Sequence, residues 1–223
     1  MEILRAQGLT KMYGEVRAVN GASLAVEEGQ WAQVVGGQGA GKTTLRRLLC
    51  GRERPDDGAI CLAGQELTGL KQGPAMALVR ETLGVVPAEP GLWREYTLWE
   101  NVALPMELAG MERRKARKKA RELLELLGVR QMAGARPASL SRCDRQTGAL
   151  ARAAAMGPRL LLLDEFAAGV SPREEIRLWQ RLETVVRETG AAVLSLASCR
   201  AEAPFERRYA MKNGSLIEEE EGI

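Results

Sequence analysis

Histidine is absent from all 223 residues, which removes imidazole as an acid, a base or a metal ligand. Cysteine is scarce, and Cys50, Cys61, Cys143 and Cys199 are scattered without a CxxC pair. Neither a cysteine-ligated metal site nor a disulfide framework is expected, and reduced thiols in a cytosol fit best. No apolar run approaches the ~18 residues that cross a bilayer. The opening MEILRAQGLTKMYG lacks the basic-then-apolar order of a signal segment. The expectation is a cytoplasmic chain that reaches a membrane only through a partner. Charge of one sign is also missing: 32 basic against 29 acidic residues leave +3. That balance gives no reason to expect nucleic acid as a partner.

What is present suits one large α/β domain, or a core with a small subdomain: 45% apolar and 27% charged residues. Strands are expected at Ser23–Val26, Trp31–Val35, Ala59–Ala63 and Leu83–Val86, with a helix from Gly41 to about Cys50. From Thr97 to about Ala153 the pattern turns helical, with breaks near Gly110 and Gly128. Leu123, Leu124, Leu127 and Val129 supply the buried side of that stretch. The α/β pattern then returns: an apolar strand at Leu160–Leu163, a helix over Arg173–Glu188, and a strand at Ala192–Leu196. Ile176, Trp179, Leu182, Val185 and Val186 share one face of that helix. MKNGSLIEEEEGI reads as a hairpin followed by an acidic tail. The layout is an α/β core with a helical subdomain inserted at about 91–153.

Two motifs carry the chemistry. GGQGAGKTT, Gly36 to Thr44, follows a strand and opens a helix, the context a phosphate-binding P-loop requires. Gly36, Gly37, Gly39, Ala40 and Gly41 let backbone N–H groups wrap phosphates at a helix start. Lys42 supplies charge to the β- and γ-phosphates, and the Thr43 hydroxyl, followed by Thr44, suits Mg2+. In LLLLDE, a buried strand delivers Asp164 to its C-terminal end as a second Mg2+ ligand, through water. Glu165, the next residue, suits polarisation of an attacking water.

With these motifs the chain resembles the nucleotide-binding subunits of ABC transporters over nearly its whole length. The resemblance implies one P-loop NTPase domain over 1–223: a RecA-like α/β core, an N-terminal β subdomain and the inserted helices. It implies ATP and Mg2+ as ligands and transmembrane permease subunits as partners, on the inner face of the cell membrane. It also implies pairing with a second ATP-binding subunit or with itself. Tyr13 stands where the family stacks an aromatic on adenine. ENVALPMELAGM resembles the branch serving lipoprotein release, macrolide export, antimicrobial-peptide resistance and cell division.

Four family switch elements are altered. LSGGQ, which closes over the partner's ATP, reads LSRCD: Ser141 remains, Arg142 and Cys143 replace the glycines, and Asp144 replaces the glutamine. Side chains are expected where backbone should meet phosphate, with Asp144 adding negative charge beside it and Arg142 offering a compensating cation. The switch histidine falls on Ser198. The glutamine after GVVP falls on Ala88, with Glu89 beside it. The aspartate after LLLLDE falls on Ser171, and Phe166 stands where a proline is usual. Two readings stay open. One is a degenerate ATP-binding transporter subunit with weak or partner-dependent hydrolysis. The other is a non-catalytic regulatory or scaffold protein that uses ATP as a structural ligand. ERRKARKKAR, Glu112 to Arg121, reads as a solvated helix face, with anionic lipid or an acidic partner loop as the alternative.

Overall fold

The structure, a computed structural model, describes residues 1–219. In chain order it contains β1 (Glu2–Tyr13), β2 (Val16–Glu27), β3 (Trp31–Val35), α1 (Lys42–Leu49), β4 (Asp57–Leu62) and β5 (Gln65–Glu66). Next come α2 (Gln72–Thr82), β6 (Leu83–Val86), α3 (Leu98–Leu108), α4 (Arg113–Leu126) and α5 (Arg142–Ala154). The chain continues with β7 (Leu160–Asp164), α6 (Pro172–Thr189), β8 (Ala192–Ala197), β9 (Arg207–Lys212) and β10 (Ser215–Glu219). Two compact units divide it: residues 1–83 with the segment from Ala192 onward, and Gly84–Ala191.

The first unit holds a sheet in the order β2-β1-β4-β5 and a run β10-β9-β3-β8. β3 pairs parallel with both β8 and β9. β3 and β8 are almost continuously buried, as strands covered on both faces must be. The β9–β10 hairpin turns at Asn213 and Gly214, both at positive φ, the signature of a tight primed turn. The expected hairpin is there; the acidic tail beyond Glu219 lies outside the described residues. The strand expected at Ser23–Val26 is only the end of the longer β2. β1 was not expected at all. The two pair antiparallel with repeated register shifts, and Gly8 and Gly21 sit at positive φ. Those irregularities break the period-two alternation that would have revealed the pair.

In the second unit β7 lies beside β6, and the helices α3, α4 and α5 stand on apolar cores. α4 buries only Ala116, Ala120 and Leu124, a narrow stripe under a charged surface. Leu127 and Val129 are buried as expected, while Leu123 is only half-buried. On α6 two expected positions fall outside the core, and Val186 is only half-buried. Ile176 is 59% exposed, and Leu178 joins Trp179, Leu182 and Val185 in the core. Trp179 meets Phe166 edge-on at 5.2 Å.

Candidate functional site

The first unit builds the P-loop from two sides. Its back is packed tight. A Cβ at Gly36 would lie 2.6 Å from the Met211 carbonyl, and one at Gly41 would lie 2.3 Å from the Ala18 carbonyl. The Gly214 amide donates to the Ala40 carbonyl at 2.9 Å, so the β9–β10 turn buttresses the loop. The front is open: nothing stands within 4 Å of a Cβ placed on Gly37 or Gly39. Lys42 is buried and donates to the Gly36 and Gly37 carbonyls at 2.5 and 3.1 Å. Its ammonium also lies 3.4 Å from Ser198 Oγ, which places the altered switch position beside the phosphate loop. α1 has Gly41 as its N-cap, no side-chain cap and no acid in its first turn. This donor set fits a polyphosphate: an open loop, an uncapped helix start, an ammonium, and the Thr43 and Thr44 hydroxyls at the second and third helical positions. Tyr13 ends β1 as an exposed residue, 44% accessible, with its hydroxyl bonded to Glu53.

In the second unit Asp164 closes β7 as a buried carboxylate, the chemistry of a divalent-cation ligand. Glu165 follows at φ 48, a conformation few side chains adopt without support. The Ala168 amide donates to the Glu165 carbonyl at 3.0 Å and closes the turn. Phe166 is buried against Trp179, anchoring this loop to α6. Ser171 is the N-cap of α6: its amide and hydroxyl donate to Glu174 at 3.0 and 2.7 Å. These two bonds hold the Glu174 carboxyl below its ordinary range.

The α5 start differs from the α1 start. Ser141 caps α5: its Oγ accepts from the Asp144 amide at 3.1 Å and donates to the Asp144 carboxylate at 2.6 Å. Arg142 donates from three nitrogens to its own chain. Nε reaches the Ala168 carbonyl at 2.8 Å, Nη1 reaches Glu89 at 3.2 Å, and Nη2 reaches the Ala88 carbonyl at 3.3 Å. The structure therefore brings together positions 88, 89, 142 and 168. Cys143 corrects the expectation that both replacing side chains stand before the helix start. Its side chain is buried against α6, with Arg181 at 3.6 Å from the sulfur. Burial pushes the Cys143 thiol up, so it stays protonated.

Two residues went unnoticed in the sequence. Gln146 donates to the Pro87 carbonyl at 3.2 Å, and Arg152 donates to the Gly91 and Pro90 carbonyls at 2.7 and 2.8 Å. With Arg142 they grip the loop after β6 from α5. Polar residues at 142 and 146, one turn apart on a helix with buried neighbours, were the available signal. α4 carries the basic run. Arg113 faces Glu100 at 3.7 Å, Lys118 faces Glu122 at 3.8 Å, and Arg117 stacks over Trp99 at 4.8 Å. Among the described residues no helix is long and apolar enough to cross a membrane, and no cluster of metal-ligating side chains stands out.

Residues 19–168 match the ABC transporter family model. The chain is 35% identical over 222 residues to the lipoprotein-releasing system ATP-binding protein LolD of Cereibacter sphaeroides, covering 97% of this chain and 99% of that one. It is 37% identical over 193 residues to the methionine import ATP-binding protein MetN of Rhizobium johnstonii, covering 86% of this chain. It spans about half the length of that relative, 53%. Among solved structures it is similar to the dimeric bacterial ABC transporter cassette MJ0796, with a TM-score of 0.89, 26% identity and coverage of 99% and 100%. The same cassette has been solved as a dimer bound to ADP and phosphate, with a TM-score of 0.88 and 25% identity over 99% of this chain and 100% of that one.

Proposed function

The chain belongs to the ABC transporter ATPase family, with its α/β P-loop fold, and from that premise we propose a degenerate member: an ATP-binding transporter subunit with weak or partner-dependent hydrolysis. Lys42, Thr43, Thr44 and the amides from Gly36 to Gly41 receive the phosphates, and Tyr13 stacks on the base. Thr43, and Asp164 through water, would hold Mg2+, which when bound would neutralise charge on the β- and γ-phosphate oxygens. Glu165 orients and polarises water. Transmembrane permease subunits and a second ATP-binding subunit complete the machine at the inner face of the membrane. The relatives carry both an importing and a releasing name, so they point to no single transported substrate.

One observation carries the impairment. The Ser141 hydroxyl, which the family offers to the partner's γ-phosphate, donates to Asp144 of its own chain. Asp144 then presents negative charge where a phosphate would approach. Ser198 beside Lys42 can share a hydrogen bond but cannot carry the histidine's positive charge.

The test frees the serine and restores the switch. Asp144→Gln with Ser198→His, in the assembled transporter, raises ATP turnover at least about tenfold. A single transition-state donor is worth ~10²–10³ in rate, and groups acting as a unit do not add. No increase overturns the reading. Masses of the subunits purified from native membrane in mild detergent identify the pairing. A second ATPase with intact LSGGQ and switch histidine makes this chain the degenerate half of an asymmetric pair. Glu165→Gln that leaves wild-type turnover untouched would instead favour ATP as a structural ligand.

A further inference from the structure

We infer that Arg142 is a positioning residue acting within its own chain: it ties the loop after β6 to the loop after β7, and through the second loop sets where Glu165 stands. The guanidinium is a rigid fork, and three of its nitrogens each meet a different acceptor: Ala168 O, Glu89 Oε1 and Ala88 O. Ala168, whose carbonyl receives Nε, uses its amide to close the turn begun at Glu165. A continuous hydrogen-bonded path therefore runs from Glu165 through Ala168 and Arg142 to Ala88 and Glu89. Gly169 makes room for it. A Cβ there would lie 3.2 Å from Arg142 Nε, on a residue whose φ is +73. Gln146 and Arg152 also hold the loop after β6, but their acceptors, Pro87, Pro90 and Gly91, all lie in that loop. Of these three α5 side chains, Arg142 is the one that reaches both loops.

The two carbonyls matter more than the carboxylate. The Glu89 side chain is 83% exposed against 32% for Arg142, and an ion pair that wet contributes little. Lysine at position 142 would keep the charge and the stem but not the fork, so it would serve one acceptor at a time. The Arg142 guanidinium is therefore bound to its own loops, and it can turn to a partner's phosphate only by giving up those bonds.

This inference rests on the ATP-binding reading only for its kinetic readout. Hydrogen exchange is measured on the full chain for wild type, Arg142→Ala, Arg142→Lys and Glu89→Gln. Exchange at the amides of 165–170 rises about tenfold in R142A, with a smaller rise at 88–89, and R142K does not restore it. E89Q stays close to wild type at 165–170, since the carboxylate is the exposed partner of the pair. In the assembled transporter, R142A lowers kcat while KM for ATP holds within about twofold. Unchanged exchange at 165–170 in R142A, or full protection in R142K, overturns the inference; R142K decides it even if R142A fails to fold. Failure of the wild-type complex to bind MgATP would sink the ATP-binding reading and leave the exchange result standing.

Discussion

The same device, the start of an α-helix, appears twice in this chain in opposite conditions. α1 opens on Gly41 with no side-chain cap and no first-turn acid, beside an open loop face. α5 opens on Ser141, whose Oγ caps the helix by accepting from the Asp144 amide and donates to the Asp144 carboxylate. Both ends carry the positive pole of a helix dipole and orphan N–H groups. At α1 those groups stay available to an anion from outside. At α5 the chain has supplied its own anion. Glycine against an S-x-x-D cap decides whether a helix start serves a ligand or serves the fold.

That contrast can be broken from either side. The largest effect is expected from Lys42→Ala, which weakens MgATP binding about 100-fold by calorimetry or fluorescence titration. Hydrogen bonds to a charged group are worth about 1.5–3 kcal/mol each. Next is Thr44→Asp, which gives α1 the first-turn acid that α5 already has and weakens MgATP binding about tenfold or more by like-charge repulsion. Binding unchanged in T44D would show that the helix start takes no part. Ser141→Ala does the converse at α5. It lowers thermal stability by about 1 kcal/mol, or ~2–4 °C, while the affinity for MgATP, read by titration, stays at the wild-type value. An affinity loss equal to that of K42A would erase the distinction.

The smallest effect is one of pH. Glu174 and Glu100 close capping boxes on α6 and α3, and bonds from Ser171 and Thr97, hydroxyl first and then backbone N–H, hold both carboxyls below their ordinary range. A depressed carboxyl stabilises the fold above its unfolded pKa of ~4.3 and loses that contribution as pH falls through the lowered folded value. Replacing Ser171 and Thr97 by alanine should lower Tm by an amount on the order of 2 °C near neutrality. The gap should close as pH drops below ~4; a gap independent of pH would remove the carboxyls from the account.

Much of the phosphate end was legible. A strand, a glycine loop and a helix follow one another within a few residues at Trp31 to Leu49, and such local order is written in periodicity and glycine spacing. β6 ran over the residues expected, Leu83–Val86. α2 was missed because Gly73 and Pro74 in its first turn read as a break and no side chain caps it, although the buried Ala75, Leu78, Val79 and Thr82 follow helical spacing. β1 was missed because its bulges disrupt the alternation. Ile176 was misplaced because the buried stripe of α6 is centred on Leu178, Leu182 and Val185, and Ile176 lies off that line.

The altered positions divide in the same way. Residue identity was enough to say that LSRCD lacks the flexible glycines of LSGGQ, that no histidine can fill the switch position, and that Gly36 to Thr44 suits phosphates. Those conclusions depend on chemistry carried by each residue itself: a ring that is absent, a Cβ that is present, a charge on a side chain. The fate of Arg142 depended on acceptors 53 and 26 residues away in the chain. Whether Cys143 faced outward depended on α6 packing over it, with the Glu174 carbonyl 4.0 Å from its sulfur. Contacts between segments distant in sequence arise only when the chain folds back on itself, and local pattern carries no record of which carbonyl a guanidinium will find.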